Sequence, residues 1–335
     1  MSAHPSPELT RDIIVIGTSA GGVEALPRVL QQLPEDLGAS VCIAQHMAPT
    51  ERPHLVDILR RSARVKVDWA EQGAPLEHGH VYVAPPDTHL MFSDDHLRLS
   101  HGPRENFARP SIDKLFRSAA AVHGGRVIGV VLTGMLDDGV AGLKAIHEAG
   151  GAVVVQDPQD AAYPEMPSRA LLAVPVDRTL PIDAIGGALI ALCREVRGNG
   201  AIARAVALEA QSDEVGQVSP ATLNELGTQT PISCPACNGP TWLVGDEHAR
   251  TYLCYLGHSS SPHTLLEETA LEVERALWSA VRALGDRAGT LETLAADANR
   301  TGCHQIAEGY ATRAREAREQ AELARQFLID VISPR

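Results

Sequence analysis

The sequence predicts an α/β protein with a doubly wound, mostly parallel sheet, followed by a small cysteine-containing ribbon and an antiparallel helical hairpin. Three observations carry the prediction. From about residue 12 to 196, continuous Val/Ile runs alternate with helix-like stretches, the texture of strands buried on both faces. Three of the six cysteines cluster between 234 and 254. Beyond residue 262, small and apolar side chains recur at spacings of four and three, the rhythm of a narrow helical seam.

The run Asp12-Ile13-Ile14-Val15-Ile16 reads as the first strand, closed by the turn Gly17-Thr18-Ser19-Ala20-Gly21-Gly22 and a helix over Val23 to Leu33. Ser40 to Gln45, Arg126 to Leu132 and Gly151 to Gln156 are further buried strands. Between 66 and 100 the chain alternates extended segments, Val81-Tyr82-Val83 and Leu90-Met91-Phe92, with Asp94-Asp95 at a hairpin turn, so an antiparallel edge is expected there. Residues 197–230, rich in Gly, Ala, Ser, Thr and Gln, read as a linker with some helix, and 231–260 as a compact ribbon. Residues 261–331 give two long helices turning at Asn299 to Gly302, with Ser261-Pro262 as N-cap and first helical position. Their seam is Leu266, Ala270, Val273, Leu277, Ala280, Leu284, Ala288 and Leu291 against Cys303, Ala307, Tyr310, Ala314, Ala317, Ala321, Ala324 and Leu328. Cys42, Cys193 and Cys303 read as core residues.

Composition narrows the function classes. A formal charge of −13 disfavours a general nucleic-acid binder, which needs clustered Lys and Arg against phosphates. No apolar run approaches the roughly 18 residues of a membrane span. Residues 1–11 lack the basic start and apolar centre of a signal peptide, so no membrane insertion and a cytoplasmic location are expected.

Three strand-end motifs carry candidate chemistry. Ser19 sits on a tight strand-to-helix turn whose small neighbours permit close backbone approach, with helix-start amides such as that of Ala20 able to hold an oxyanion. Gly-rich turns of this kind more often cradle phosphate, but the spacing matches neither the dinucleotide fingerprint nor the P-loop. His46, in Gln45-His46-Met47, follows a strand into the crevice where open sheets bind ligands, and its chemistry suits a general base. Asp138 closes Leu132-Thr133-Gly134-Met135-Leu136-Asp137-Asp138-Gly139 just beyond another strand, placed to orient the histidine. Each motif alone also reads as an ordinary loop or turn. Jointly they form a candidate Ser-His-Asp triad.

The strings GTSAGGVEAL, IAQHM, VYVAPPDTHL, RPSIDKLFRSAA, VVLTGMLDDGVAGL and VQDP…YPEMPSRAL, in this order, resemble the catalytic domain of the chemotaxis protein-glutamate methylesterases, the CheB family. The resemblance covers about residues 12–195. It implies hydrolysis of glutamate methyl esters on the cytoplasmic helices of methylated receptors, with release of methanol and glutamine deamidation as a second activity. It further implies Ser19 as nucleophile, His46 as base, Asp138 as orienting carboxylate and the Met135 amide as an oxyanion donor. Chemosensory signalling proteins are the implied partners, and no cofactor is implied for catalysis. Two departures stand out. The catalytic motifs begin within about a dozen residues of Met1, where well-known members carry a receiver domain, so control by phosphorylation in cis is left open. Leu136-Asp137 replaces the small pair, Gly-Asn or similar, that commonly precedes the aspartate. Arg109, Ser111 and Asp113 are expected to border the cleft or to serve as turn and cap.

A fourth motif, Cys234-Pro235-Ala236-Cys237 with Cys254 and His258, has the spacing of a closed structural zinc site; a metal-free ribbon of reduced thiols is the alternative. The rival functional reading is a non-catalytic ligand- or phosphate-sensing module using the same crevice. Oligomeric state stays open.

Overall fold

The computed structural model describes residues 10–48, 54–198, 200, 206 and 217–332, with side chains to 329. It divides into two compact units, Met1–Leu265 and Leu266–Arg335.

In the first unit, strands β1 (Ile13–Thr18), β2 (Ser40–Gln45), β3 (Lys66–Trp69), β4 (His80–Val83), β7 (Val127–Val131), β8 (Ala152–Gln156) and β9 (Arg178–Leu180) form a seven-stranded sheet. The order is β3-β4-β2-β1-β7-β8-β9, and every neighbouring pair is parallel. The antiparallel component expected between 66 and 100 is a separate hairpin of β5 (His89–Ser93) and β6 (His96–Ser100), turning at Asp94-Asp95. β3 and β4, from the same stretch, join the parallel sheet.

Among the described residues, six helices cover the two faces: α1 (Gly22–Leu30), α2 (Leu55–Ser62), α3 (Ile112–His123), α4 (Val140–Glu148), α5 (Glu165–Ala173) and α6 (Ile182–Leu192). Along β1 the side chains alternate between two cores. Ile13 and Val15 pack with Ile112, Phe116, Leu143 and Met166 from α3, α4 and α5. Ile14 and Ile16 pack with Leu26, Leu59 and Leu189 from α1, α2 and α6. These four β1 side chains are at most 2% exposed, each contributing about 1.5–3 kcal/mol of burial. The hydrophobic run is continuous because both faces are covered. The sheet reverses its winding at β1, and the crevice above the strand ends opens there.

Most of the expected linker, 201–205 and 207–216, lies outside the described residues. Within the expected linker, residues 217–230 carry a short helix and the start of a strand. Helix α7 (Pro220–Leu226) leads into β10 (Gly227–Ser233), β11 (Pro240–Val244), β12 (Thr251–Cys254) and β13 (Ser259–Ser260), one antiparallel sheet in that order. Leu223, Trp242, Val244 and Leu253 form its small core. Composition hid β10 because it is a polar, largely exposed edge strand, held by its ladder to β11 rather than by apolar burial.

The second unit is a hairpin of α8 (Pro262–Arg300, from Leu266 on) and α9 (His304–Ile332), turning at Thr301-Gly302 and tied by Arg318 to Glu292 at 2.6 Å. Ala288, Leu291, Ala307, Ala314, Ala317 and Leu328 of the expected seam are buried. Leu266 and Val273 are instead 67% and 46% exposed, and Ala270 is exposed too. α8 has 39 residues against 29 in α9, so its first turns run past the partner helix. Cys303, expected in the core, is exposed, because it falls in the turn just before α9. Among the described residues no helix is long and apolar enough to cross a membrane.

Candidate active site and metal cluster

Ser19 directly follows β1. Gly21 takes φ 79° to complete the turn into α1, a backbone region that side chains disfavour. The Ser19 N–H donates to the Thr133 carbonyl at 3.1 Å, and the Gln45 side-chain amide donates to the Ser19 carbonyl at 2.8 Å. Gly134 lies so close that a Cβ there would stand 2.9 Å from the Ser19 Cβ. The nucleophile candidate is thus pinned between two strand ends.

His46 follows β2, its backbone N–H donating to the Thr18 carbonyl at 3.1 Å. Its Nδ1 stands 3.2 Å from Ser19 Oγ and its Nε2 2.7 Å from Asp138 Oδ2. Asp138, 1% exposed, sits against the N-terminus of α3. The same Oδ2 accepts from the Ile112 N–H at 2.7 Å; Oδ1 accepts from the Asp113 N–H, Asn106 Nδ2 and Ser111 Oγ at 3.0–3.2 Å. Burial alone would raise this carboxyl. The hydrogen bond and charge of His46, with the Asn106 amide and the Ile112 N–H, outweigh burial and bring it down to about 2. An ionised Asp138 only accepts, so Nε2 carries the imidazole proton and Nδ1 turns its lone pair to Ser19. Asp113 moves the other way: burial first, then the charges of Asp138 and Glu105, push its carboxyl well above the usual range. That favours its protonated form and leaves Asp138 as the charged partner of the imidazole.

Ser19, His46, Met135, Asn106, Arg109 and Asp138 line one cavity of about 360 Å³. Among the described residues the amides of Met135 and Ala20 donate to no protein acceptor, as an oxyanion donor requires. Arg109 stands at the cavity, gripping Asp87 through Nε and Nη2 at 3.0 and 2.9 Å. Ser111 caps α3 behind Asp138, and Asp113 faces Asn106 and the Gly142 N–H, so neither borders the Ser19 cavity. The two adjacent aspartates separate. Asp138 meets His46, whereas Asp137 accepts from Ser261 Oγ at 2.6 Å, His263 Nδ1 at 3.1 Å and Thr264 Oγ1 at 3.3 Å. Leu136 between this pair and Met135 takes φ 62°, a conformation a glycine would adopt without strain.

Two supporting residues escaped the sequence reading. Gln45 carried a signal, a polar side chain ending an apolar strand beside His46. Asn106 carried none, being one polar residue of a loop 32 positions from Asp138.

The cysteine ribbon brings Cys234, Cys237, Cys254 and His258 together, their ligand atoms all within 4.8 Å of one another. Cys237 Sγ is 3.7 Å from Cys254 Sγ, and Cys254 Sγ is 3.6 Å from His258 Nδ1. Metal–sulfur bonds of about 2.3 Å at tetrahedral angles give sulfur–sulfur separations of about 3.8 Å, so the donor set fits a zinc-sized ion. Backbone turns hold both halves: the Asn238 N–H reaches the Cys234 carbonyl at 2.7 Å, and the Gly257 N–H the Cys254 carbonyl at 2.9 Å. Two thiols outside the ribbon, the buried Cys42 and the half-buried Cys193, are held in the protonated form. Burial pushes Cys42 up, and Cys193 up to about 12.

The family profile described as CheB methylesterase matches residues 14–189. A relative from Leptospira interrogans, provisionally named protein-glutamate methylesterase/protein-glutamine glutaminase, is 42% identical over 182 residues, covering 54% of this chain and 94% of that protein. Protein-glutamate methylesterase/protein-glutamine glutaminase 2 of Anaeromyxobacter dehalogenans is 40% identical over 192 residues, which is 57% of this chain and only 56% of that longer protein. The crystal structure of the Thermotoga maritima CheB methylesterase catalytic domain superposes with a TM-score of 0.53 at 31% identity, covering 55% of this chain and 100% of that one. The chain belongs to the CheB methylesterase family.

Proposed function

We propose that the chain is a protein-glutamate methylesterase that cleaves glutamate γ-methyl esters on the cytoplasmic helices of methylated chemoreceptor-type proteins, among chemosensory signalling partners. Ser19 is the nucleophile, His46 the general base and then acid, and Asp138 the orienting carboxylate. One observation carries the reading: the His46 imidazole bridges Ser19 Oγ at 3.2 Å and a buried, ionised Asp138 at 2.7 Å, in a chain of this family.

His46 Nδ1 takes the Ser19 proton as Oγ attacks the ester carbonyl carbon. The amides of Met135 and Ala20 hold the oxyanion, and Asp138 stabilises the imidazolium. Collapse breaks the acyl–oxygen bond, and methanol leaves with the proton from Nδ1. Water then attacks the acyl-serine while Nδ1 takes its proton and returns it to Oγ, freeing the glutamate. Each step uses the chain's own side chains and backbone amides, with water as the second nucleophile. The relatives' names join methylesterase to glutaminase, and the same acyl-serine follows from a glutamine side chain with ammonia as leaving group. A fluorophosphonate probe tests the reading: Ser19 is labelled and methanol release stops with it. A ligand-sensing module without turnover would leave Ser19 unlabelled.

The fit of the donor set further supports a structural zinc held by Cys234, Cys237, Cys254 and His258, a closed site that takes no part in the acyl chemistry. Metal analysis of the purified protein is expected to find about one zinc per chain, and a zinc-free protein that takes up no added zinc would leave the reduced-thiol ribbon as the answer.

A further inference from the structure

The last residue of the Cys/His cluster, His258, leads directly into a partly buried strap, 259–264, that lies behind the triad. The Asn106 N–H donates to the Ser259 carbonyl at 2.9 Å, and the Ser261 N–H donates to Asn106 Oδ1 at 2.8 Å. At its other end the same amide donates from Nδ2 to Asp138 Oδ1 and Asp113 Oδ2, both at 3.0 Å. Asp137 anchors the strap a second time through Ser261, His263 and Thr264. Ser259, Ser260 and Thr264 are buried, as are Asn106 and Asp137. Asn106 and Phe107 hold φ 50° and 65°, left-handed backbone that persists only where the surroundings enforce it.

The strap decides which way the Asn106 amide faces. With Ser261 N–H donating to Oδ1, the NH₂ group must point at the Asp138 carboxylate and the Asp113 carboxyl group. A flipped amide would set its oxygen against Asp138 and leave the Ser261 donor facing NH₂, so both contacts would turn repulsive. The orientation of Asp138, and through it the imidazole of His46, therefore depends on a segment whose near end is a metal ligand. We propose that Asn106 is a positioning residue for Asp138, and that metal at Cys234, Cys237, Cys254 and His258 fixes it by holding the strap in place. Metal loading thereby couples to turnover without metal touching the substrate. This inference rests on both the triad and the zinc readings.

The full chain is assayed with zinc, after chelation, and after zinc is added back, alongside Asn106→Ala and Ser19→Ala. Zinc content, folding by circular dichroism, and kcat and KM for methanol release are measured on each. The downfield proton resonance of the His46 imidazole bonded to Asp138 is followed by NMR. Chelation is expected to lower kcat roughly 10- to 100-fold with little change in KM, shift that resonance, and reverse on adding zinc. Asn106→Ala keeps its zinc, shows the same fall and shift, and no longer responds to chelation. If metal-free protein unfolds, Asp137→Ala decides: it loosens the strap while leaving all four ligands and Asn106 intact, and is expected to lower kcat in the same direction. A folded metal-free protein with unchanged kcat and resonance overturns the coupling, as does an Asn106→Ala variant that still responds to chelation. Zinc absent and not taken up overturns it through the metal reading, and full activity in Ser19→Ala through the triad reading.

Discussion

Replacing Asp138 with Asn puts two separate magnitudes to the test. The carboxylate accepts five hydrogen bonds, from His46, Ile112, Asp113, Asn106 and Ser111. An amide in its place has one oxygen and one NH₂, so either orientation turns a donor against donors. With NH₂ toward His46, the imidazole must offer a lone pair at Nε2, which moves its proton to Nδ1 and blocks it from accepting the Ser19 proton. A fall in kcat of about 10⁴ is expected from the wrong tautomer. The second magnitude is stability. A folded value of about 2 against about 3.9 in the unfolded chain contributes about 2–3 kcal/mol at neutral pH. The folded value is depressed, so this contribution is present above about pH 4 and disappears as pH falls through about 2. Methanol release from methylated receptor gives the first quantity, and urea unfolding at neutral pH gives the second. Asp138→Asn within tenfold of wild-type kcat, with unchanged stability, would refute the assignment of Asp138 as an ionised orienting group.

Two further outcomes follow from His123, at the C-terminal end of α3, and from Gly134, beside Ser19. His123 is buried edge-on to Phe92 with ring centroids 5.0 Å apart, and among the described residues its Nε2 has no hydrogen-bond partner. Burial, then Arg126, lower it to about 4, against about 6.5 unfolded, so the unfolded chain takes up this proton first as pH falls. Urea unfolding is expected to register a loss of about 2 kcal/mol from this group between roughly pH 7.5 and pH 5, a loss that His123→Leu removes; equal acid sensitivity in both proteins would contradict it. Gly134→Ala drives a Cβ to 2.9 Å from both the Ser19 Cβ and the Met166 sulfur. It is expected to cost about 1–3 kcal/mol and at least about tenfold in kcat/KM, checked by unfolding and methanol release.

The parallel sheet was legible because both its faces are covered, which leaves strands such as Ile13-Ile14-Val15-Ile16 apolar without alternation. Ser19, His46 and Asp138 were visible as polar residues following such runs. Residues whose roles come from long-range contact were not visible. Asn106 meets Asp138 and Ser261 only because α3 and the strap converge, and nothing in Glu105-Asn106-Phe107 advertises it. Asp137 adjoins Asp138 in the sequence, and only the packing of 261–264 gives it a different set of partners. The segment 219–230 was hidden by polarity, since its strand is held by backbone pairing. Heptad spacing located the helical seam but not its extent, which depends on the shorter partner helix.

The central claim, acyl transfer through Ser19, is tested most directly by counting methanol released from a receptor carrying isotopically labelled methyl esters, with wild-type chain and Ser19→Ala side by side. The account predicts steady release by the wild type and a loss of several orders of magnitude in Ser19→Ala, with the variant's folding and zinc content unchanged. Release by Ser19→Ala at a near-wild-type rate would contradict it.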